Sequence, residues 1–309
     1  MDIFIQQVIN GLVLGSMYAL VALGYTMVYG VLNLINFAHG EILMVGAMVG
    51  LSLLQLISHY APGLPGIVQL LLAIVGAIPI CVVVSILIER IAYRPLRNAP
   101  RLAPLITAIG VSILLQTFAM MIWGRNPLPF PQVLPSAPLH VAGALITPTQ
   151  ILLLILAVMA MLGLSLLVQK TRLGRAMRAV SENPRVAALM GVDANRVIVF
   201  TFAIGAALAA VAGVMWAANY ASAQFAMGFT PGLKAFSAAV LGGIGNIYGA
   251  MLGGILLGLI ESLGAGYIGD LTGGILGSHY QDIFAFIVLI IVLTVRPSGI
   301  MGERVADRA

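Results

Sequence analysis

The sequence predicts an all-α fold: a polytopic transmembrane helical bundle of about eight spans plus a broken or re-entrant segment. Hydrophobic residues make up 61% of its 309 residues and charged residues only 8%, with a mean hydropathy of +1.08. A soluble domain usually carries about 25% charged residues. Several apolar stretches approach or exceed the roughly 20 residues that cross a bilayer. The composition therefore excludes an ordinary soluble protein.

The predicted spans follow one another along a single transmembrane domain, residues 1–309. The apolar segments are 7–31, 40–57, 67–89, 102–123, 148–168, 197–218, 233–245, 248–263 and 281–295. No Lys or Arg precedes Arg90, so the first stretch lacks the basic region of a cleaved signal peptide and we expect a retained span. The single cysteine, Cys81, excludes an internal disulfide and cannot alone build a metal site.

Basic residues indicate the orientation, because short loops rich in Lys and Arg stay on the cytoplasmic side. Most of the 15 Lys and Arg residues fall in three clusters: Arg90, Arg94, Arg97 and Arg101; Lys170, Arg172, Arg175, Arg178, Arg185 and Arg196; Arg296, Arg304 and Arg308. With all three inside, the N-terminus lies outside and the C-terminus in the cytoplasm. The net charge of +5 follows from this bias and gives no support for nucleic-acid binding. The outer loop 124–147 is rich in proline, which predicts an extended segment.

The stretch 233–263 is predicted to be broken. Its middle contains Gly242, Gly243, Gly245 and Asn246, and each glycine weakens a helix by about 1 kcal/mol. A break here keeps the third basic cluster inside, so we expect a broken pair or hairpin; the alternative is a plain turn between two tilted helices. In a hairpin, Lys234 and Glu261 could approach each other near the outer face, as an ion pair or as a part of the path of a solute.

A second break is predicted near residues 33–40, where Asn33, Asn36, His39 and Glu41 lie in an apolar context. A broken helix exposes backbone dipoles that can line a path for a polar or zwitterionic solute. The alternative is an interfacial turn, in which His39 and Glu41 meet water. No HExxH or Cys/His set accompanies them, so a metal site is not predicted.

The long basic loop 169–196 is predicted to carry a short helix over 184–190. Ser181 ahead of Pro184 suits a helix start, and Gly191 can end the helix in a left-handed conformation. Val186, Leu189 and Met190 would form an apolar face, which requires either a protein partner or the lipid surface.

At this loop the chain resembles a known family. Residues 174–191 (GRAMRAVSENPRVAALMG) are similar to the cytoplasmic coupling loop of permease subunits in branched-chain amino acid ABC importers. The stretches 24–30 (GYTMVYG) with Asn33 to Glu41, 89–97 (ERIAYRPLR) and 238–246 (AAVLGGIGN) support the likeness. The length suits the LivH-type subunit better than its longer LivM-type partner.

The resemblance implies a bacterial inner-membrane permease that forms half of a translocation pathway. Its implied partners are a LivM-type permease, two cytoplasmic ATPases, a periplasmic substrate-binding protein, an amino-acid substrate and membrane lipid. It also implies coupling to the ATPases through Arg178, Glu182, Arg185, Ala187, Ala188, Met190 and Gly191. We expect the pathway to involve Asn33, Asn36, His39, Glu41, Lys234, Gly242, Gly243, Gly245 and Asn246.

We do not expect the chain to be an enzyme. It contains no GxxxxGK[ST] sequence to hold nucleotide phosphates, so ATP and Mg²⁺ would bind to the partner ATPases and this subunit would need no cofactor. Two alternatives stay open at this point. One is a related permease for urea or another small amide. The other is a secondary transporter or channel that uses His39, Glu41 and Glu261 as proton or ion relays.

Overall fold

The structure, a computed structural model, describes residues 2–32, 34–97, 99–100, 102–135, 137–141, 143–271 and 281–302. The α-helices in these ranges are α1 (Asp2–Leu32), α2 (His39–Tyr60), α3 (Gly66–Ile88), α4 (Leu102–Trp123), α5 (Pro148–Lys170), α6 (Arg172–Glu182), α7 (Pro184–Leu189), α8 (Ala194–Tyr220), α9 (Phe229–Gly242), α10 (Ile247–Leu271) and α11 (Gln281–Val295). The short strands are β1 (Leu128–Pro129), β2 (Leu139–Val141), β3 (Ala144–Ile146) and β4 (Ser222–Ala223).

The predicted polytopic helical bundle is confirmed. Within the described ranges, seven helices are long and apolar enough to cross a membrane: α1, α2, α3 with its extension to Leu96, α4, α5, α8 and α10. Helices α9 and α11 have 14 and 15 residues and are shorter than the roughly 20 residues of a full span. The count of about eight spans and the orientation of the two termini stay predictions.

The core of the bundle consists of α1, α2, α8 and α10, which pack at short distances through glycines. A Cβ placed on Gly46 would lie 2.7 Å from the Cα of Ala210, and one on Gly254 would lie 2.5 Å from the Cα of Ala19. Small residues let helices approach closely, and in lipid this packing drives their association. The backbones of α2 and α8, and those of α1 and α10, therefore touch.

Helix α3 and helix α4 lie at the periphery and expose apolar side chains. On α4, Ile106, Met121 and Ile122 are each about two-thirds exposed. Beyond α3, the chain continues as a π-helical turn (Glu89–Tyr93) and a 3₁₀ turn (Arg94–Leu96). The exposed apolar faces are suited to lipid or to another membrane subunit.

The loop between α4 and α5 is extended, as its prolines predict. Strands β2 and β3 form an antiparallel hairpin, and β1 pairs with β4 beyond the end of α8. Gln6 of α1 accepts a hydrogen bond from the backbone N–H of Leu145 at 2.8 Å and so ties the hairpin to the first helix.

The predicted interruption of 233–263 is present. Helix α9 ends at Gly242 and α10 begins at Ile247, and the two helices pack against each other. Helix α10 is longer than predicted, since it continues to Leu271.

Candidate functional site

The predicted break near residues 33–40 separates α1 from α2, although Asn33 lies outside the described residues. Helix α1 ends at Leu32 and α2 begins at His39. The side chain of Asn36 accepts a 2.7 Å hydrogen bond from the hydroxyl of Tyr93, and both residues are buried. The connection between the first two helices is therefore fixed to the π-helical turn that follows α3.

His39 and Glu41 lie inside the protein, so the alternative that placed them in water at an interfacial turn is wrong. Their exposed fractions are 2% and 1%. The His39 ring packs edge-on against Tyr25 with a centroid distance of 4.9 Å. It occupies space that Gly24 leaves free, and a Cβ on Gly205 would lie 3.4 Å from its Cε1 atom. The His39 ring, at the start of α2, thus packs between α1 and α8.

Glu41 connects α2 to the peripheral helix α4. Its Oε1 atom accepts hydrogen bonds from Ser112 Oγ at 2.9 Å and from Gln116 Nε2 at 2.7 Å. Its Oε2 atom has no hydrogen-bond partner among the described residues. A Cβ on Gly228 would lie 2.8 Å from that Oε2 atom, which places the carboxyl beside the segment preceding α9.

A cavity of about 630 Å³ opens in front of this cluster. Its lining residues are Tyr25, Phe37, Ile109, Ser112, Ile113, Gln116, Ala226, Phe229, Thr230 and Leu233. A second cavity of about 220 Å³ shares Ala226 and Thr230 with it and also includes Tyr18 and Lys234. The segment 226–230 therefore separates two cavities, one backed by Glu41 and the other lined by Lys234.

Lys234 and Glu261 form the ion pair that the hairpin predicts. Lys234 Nζ lies 2.9 Å from Glu261 Oε1, and the side chains are 8% and 0% exposed. The hydroxyl of Tyr18 donates to Glu261 Oε2 at 2.7 Å, and the Lys234 ammonium lies 5.8 Å from the centroid of the Tyr18 ring. Tyr18 could not be predicted as a member of this cluster, because a tyrosine in an apolar helix is an ordinary packing residue.

The glycine-rich break packs against the segment that follows α11. Gly243 and Gly245 have φ values of +107° and +96°, which favour glycine. The N–H groups of Ile300 and Met301 donate to the carbonyls of Leu241 and Gly242, both at 2.9 Å.

Asn246 completes the turn: it accepts from the Gly249 N–H at 3.0 Å and donates to the Met301 carbonyl at 2.9 Å. The break is therefore a hydrogen-bonded turn, and a place in the pathway for Gly242, Gly243, Gly245 and Asn246 stays a prediction.

The basic loop forms two helices where one was predicted. Helix α6 begins after Thr171, whose hydroxyl accepts from the Gly174 N–H at 3.1 Å. Helix α7 begins after Asn183, whose side-chain oxygen accepts from the N–H groups of Arg185 and Val186, both at 3.1 Å. The prediction that Ser181 caps this helix is wrong: Ser181 lies within α6 and donates to the Arg178 carbonyl at 2.8 Å. Gly191 has the expected positive φ, +82°.

The predicted apolar face of α7 is exposed. Val186, Leu189 and Met190 are 53%, 87% and 80% exposed, whereas Ala187 is buried against the rest of the protein. Glu182, Arg185 and Ala188 also lie on the surface.

Arg178 is exposed as well, but it lies beside α1 and α5. It donates to the Val168 carbonyl and lines a cavity of about 100 Å³ together with Thr26, Gly30 and Gly245. The structure thus brings one predicted coupling residue next to the glycine-rich break.

One arginine of the first basic cluster has a structural role that the sequence did not reveal. Arg97 pairs with Glu89, which is fully buried, and donates to Asn195 Oδ1 at 2.6 Å. It thereby holds the π-helical turn against the first residues of α8. A signal was available, since Glu89 is an acidic residue within an arginine-rich stretch.

The fold and these clusters define a class: a multi-pass helical membrane protein with polar and ionised groups in its core. Such buried groups are typical of proteins that transport solutes. The chain matches the family described as the permease component of branched-chain amino acid transport systems over residues 7–293. It therefore belongs to that family.

Curated relatives cover nearly the whole chain. The high-affinity branched-chain amino acid permease protein BraD of Pseudomonas aeruginosa is 44% identical over 97% of this chain and 96% of its own. LivH of Escherichia coli K12 is 43% identical over the same shares. A probable LivH of Methanocaldococcus jannaschii is 30% identical over 97% of this chain and 94% of its own. No solved structure gave a significant match. The chain is a transport component, a permease subunit and a multi-pass inner-membrane protein.

Proposed function

We propose that the chain forms half of the translocation pathway of an ATP-driven importer for branched-chain amino acids. A LivM-type permease would supply the other half, and a periplasmic binding protein would deliver the substrate. The substrate class rests on the BraD and LivH relatives, whose names state branched-chain amino acid transport. The ATP-driven mechanism rests mainly on one observation, the exposed apolar face of α7.

That face lies on a short helix with a defined start and end. Leu189 and Met190 are more than three-quarters exposed on a helix whose start is capped by Asn183 and whose end turns at Gly191. Exposed apolar side chains that cluster at one surface mark a site of interaction. We assign the partner that covers this face as an ATPase subunit. In this proposal ATP and Mg²⁺ bind to the ATPase subunit and not to this chain.

The helices around α7 offer a route for force. Helix α6 packs against α1, α5 and α8, and the small cavity between α6 and α1 includes Gly245 of the glycine-rich break. A push on α7 would therefore shift α6 against three long helices. In this mechanism ATP binding rocks the bundle between outward-open and inward-open states, while the binding protein sets most of the selectivity.

The test compares two exposed leucines. Leu189→Ser should abolish co-purification of the ATPase subunits and ATP-dependent leucine uptake in proteoliposomes. Leu139→Ser, on the 52% exposed Leu139 of β2, is the matched control and should leave both unchanged. Uptake by the wild-type complex that proceeds without ATP and follows a proton gradient would overturn the proposal in favour of a secondary transporter.

A further inference from the structure

The cavity of about 630 Å³ between α4 and the segment 226–233 has the size of a small-molecule site, for which about 300–1,000 Å³ is usual. Its wall is mainly apolar, with Ile109, Ile113, Phe229 and Leu233 among the lining residues. The polar side chains in the wall are few. Ser112 and Gln116 come from α4, and Tyr25 and Thr230 stand apart from that helix.

The two polar residues of α4 are oriented by Glu41. Both donate to its Oε1 atom: the hydroxyl of Ser112 at 2.9 Å and the amide nitrogen of Gln116 at 2.7 Å. A carboxylate accepts and does not donate, so it fixes the Gln116 amide with its nitrogen toward Glu41. The oxygen of Gln116 and the lone pairs of the Ser112 hydroxyl are then the groups left for a ligand. On this side the cavity offers hydrogen-bond acceptors.

Glu41 itself favours a positively charged ligand. Its side chain is almost completely buried, and its Oε2 atom has no hydrogen-bond partner among the described residues. A buried carboxylate is costly unless a cation and hydrogen bonds compensate for the lost water. Lys234, which lines the neighbouring cavity, is already paired with Glu261 at 2.9 Å. No Lys or Arg of the described residues is paired with Glu41, so a cation held in the cavity by Ser112 and Gln116, in front of Glu41, would compensate its charge.

We propose that this cavity is a subsite for an aliphatic amino acid within the translocation pathway. The α-ammonium would lie against Gln116 and Ser112, with Glu41 behind them as the compensating charge. The branched side chain would lie among Ile109, Ile113, Phe229 and Leu233. The proposal rests on the proposed function, which supplies the substrate class, and adds the residues that recognise the substrate inside the membrane.

Two cysteine reporters test the site in the assembled, ATP-free importer. The only native cysteine of this chain, Cys81, is buried and is replaced by alanine. Ile113→Cys places a thiol in the cavity wall. Leu114→Cys, at a position that is 52% exposed on the same helix compared with 59% for Ile113, is the matched control outside the lining. The rate of reaction with N-ethylmaleimide is measured with leucine, with 3-methylbutylamine, which lacks the carboxylate, and with 4-methylpentanoate, which lacks the ammonium.

Leucine and the amine should slow labelling of Ile113→Cys, by about tenfold at a concentration near ten times their Kd, whereas the acid should not. Neither compound should protect Leu114→Cys. Gln116→Leu and, separately, Ser112→Ala in the Ile113→Cys background should weaken protection by the amine, with co-purification of the ATPase subunits as the check on folding.

Failure of the subsite is distinguishable from failure of the proposed function. If the wild-type complex imports leucine but no probe protects Ile113→Cys, or the acid protects as well as the amine, the cavity is not an ammonium-selective subsite and the importer assignment stands. Protection that persists in both Gln116→Leu and Ser112→Ala also overturns the subsite. Absence of ATP-dependent leucine import by the wild-type complex contradicts the proposed function itself.

Discussion

The ammonium of Lys234 and the carboxylate of Glu261 lie 2.9 Å apart and join α9 to α10 in the interior of the bundle. Tyr18 of α1 donates a further hydrogen bond to Glu261, so three helices meet at this pair. Charges inside a membrane protein are costly to bury and depend on their partners. The pair therefore fixes how the short helix α9 packs against the glycine-rich break and the helix that follows it.

Removing one partner of this pair should be more harmful than removing both. Lys234→Met leaves Glu261 uncompensated, and we expect a loss of about 3–5 kcal/mol, as for other buried ion pairs that are broken. Lys234→Met combined with Glu261→Gln should recover much of this loss because no net charge stays buried. Thermal unfolding of the purified complex in detergent shows which variant is less stable. A double variant that is less stable than both single variants would contradict it.

The ion pair shows what the sequence could predict. Lys234 is a lone basic residue in an apolar stretch, and the break at Gly242–Asn246 places it beside Glu261 once α9 and α10 turn back on each other. The cluster of Glu41, Ser112 and Gln116 was not predictable in the same way. Its members lie on α2 and α4, about 70 residues apart, and neither apolar helix has a periodicity that specifies which face meets the other.

The start of α7 at Pro184 was predicted correctly, but its capping residue was predicted wrongly, for a local reason. A serine three residues before a proline is a reasonable cap, but the residue immediately before a proline is itself pushed toward extended backbone angles. Asn183 precedes Pro184, has φ −155° and ψ 101°, and carries a side chain that can cap. Both requirements of a cap thus meet at Asn183, which leaves Ser181 free to continue α6.

The cap of α7 should affect coupling without affecting substrate specificity. Asn183→Ala removes the acceptor for two N–H groups, which typically costs about 1 kcal/mol, and should raise the ATP hydrolysed per leucine imported. Asn183→Asp keeps an acceptor at the same place and should behave like the wild type. Equal coupling ratios for the alanine and aspartate variants in proteoliposomes would show that the geometry of α7 is not limiting.

The hydrogen bond from Tyr93 to Asn36 should stabilise the connection between α1 and α2. Tyr93→Phe removes the hydroxyl and leaves the buried Asn36 Oδ1 atom without this donor, which we expect to cost about 1–3 kcal/mol. Tyr60→Phe, on a residue that is 78% exposed, removes the same atom at the surface and should be nearly neutral. Thermal unfolding in detergent compares the two. Equal melting temperatures for both variants would mean that the bond contributes nothing measurable.

The close packing of α1 against α10 should not tolerate one added methyl group. In Gly254→Ala the new Cβ would lie 2.5 Å from the Cα of Ala19, and a backbone atom cannot move aside as the end of a flexible side chain can. We expect a loss of about 1–3 kcal/mol, which is usual for overpacked sites.

Gly163→Ala on α5 is the control, because no atom of the described residues, apart from its own stretch of helix, lies within 4 Å of the added Cβ. There the better helix propensity of alanine should make the change neutral or stabilising by up to about 1 kcal/mol. Gly254→Ala should therefore melt at a lower temperature than the wild type, whereas Gly163→Ala should melt at the same temperature or a higher one. If the two variants melt together, α1 and α10 are not as close in the membrane as these contacts require.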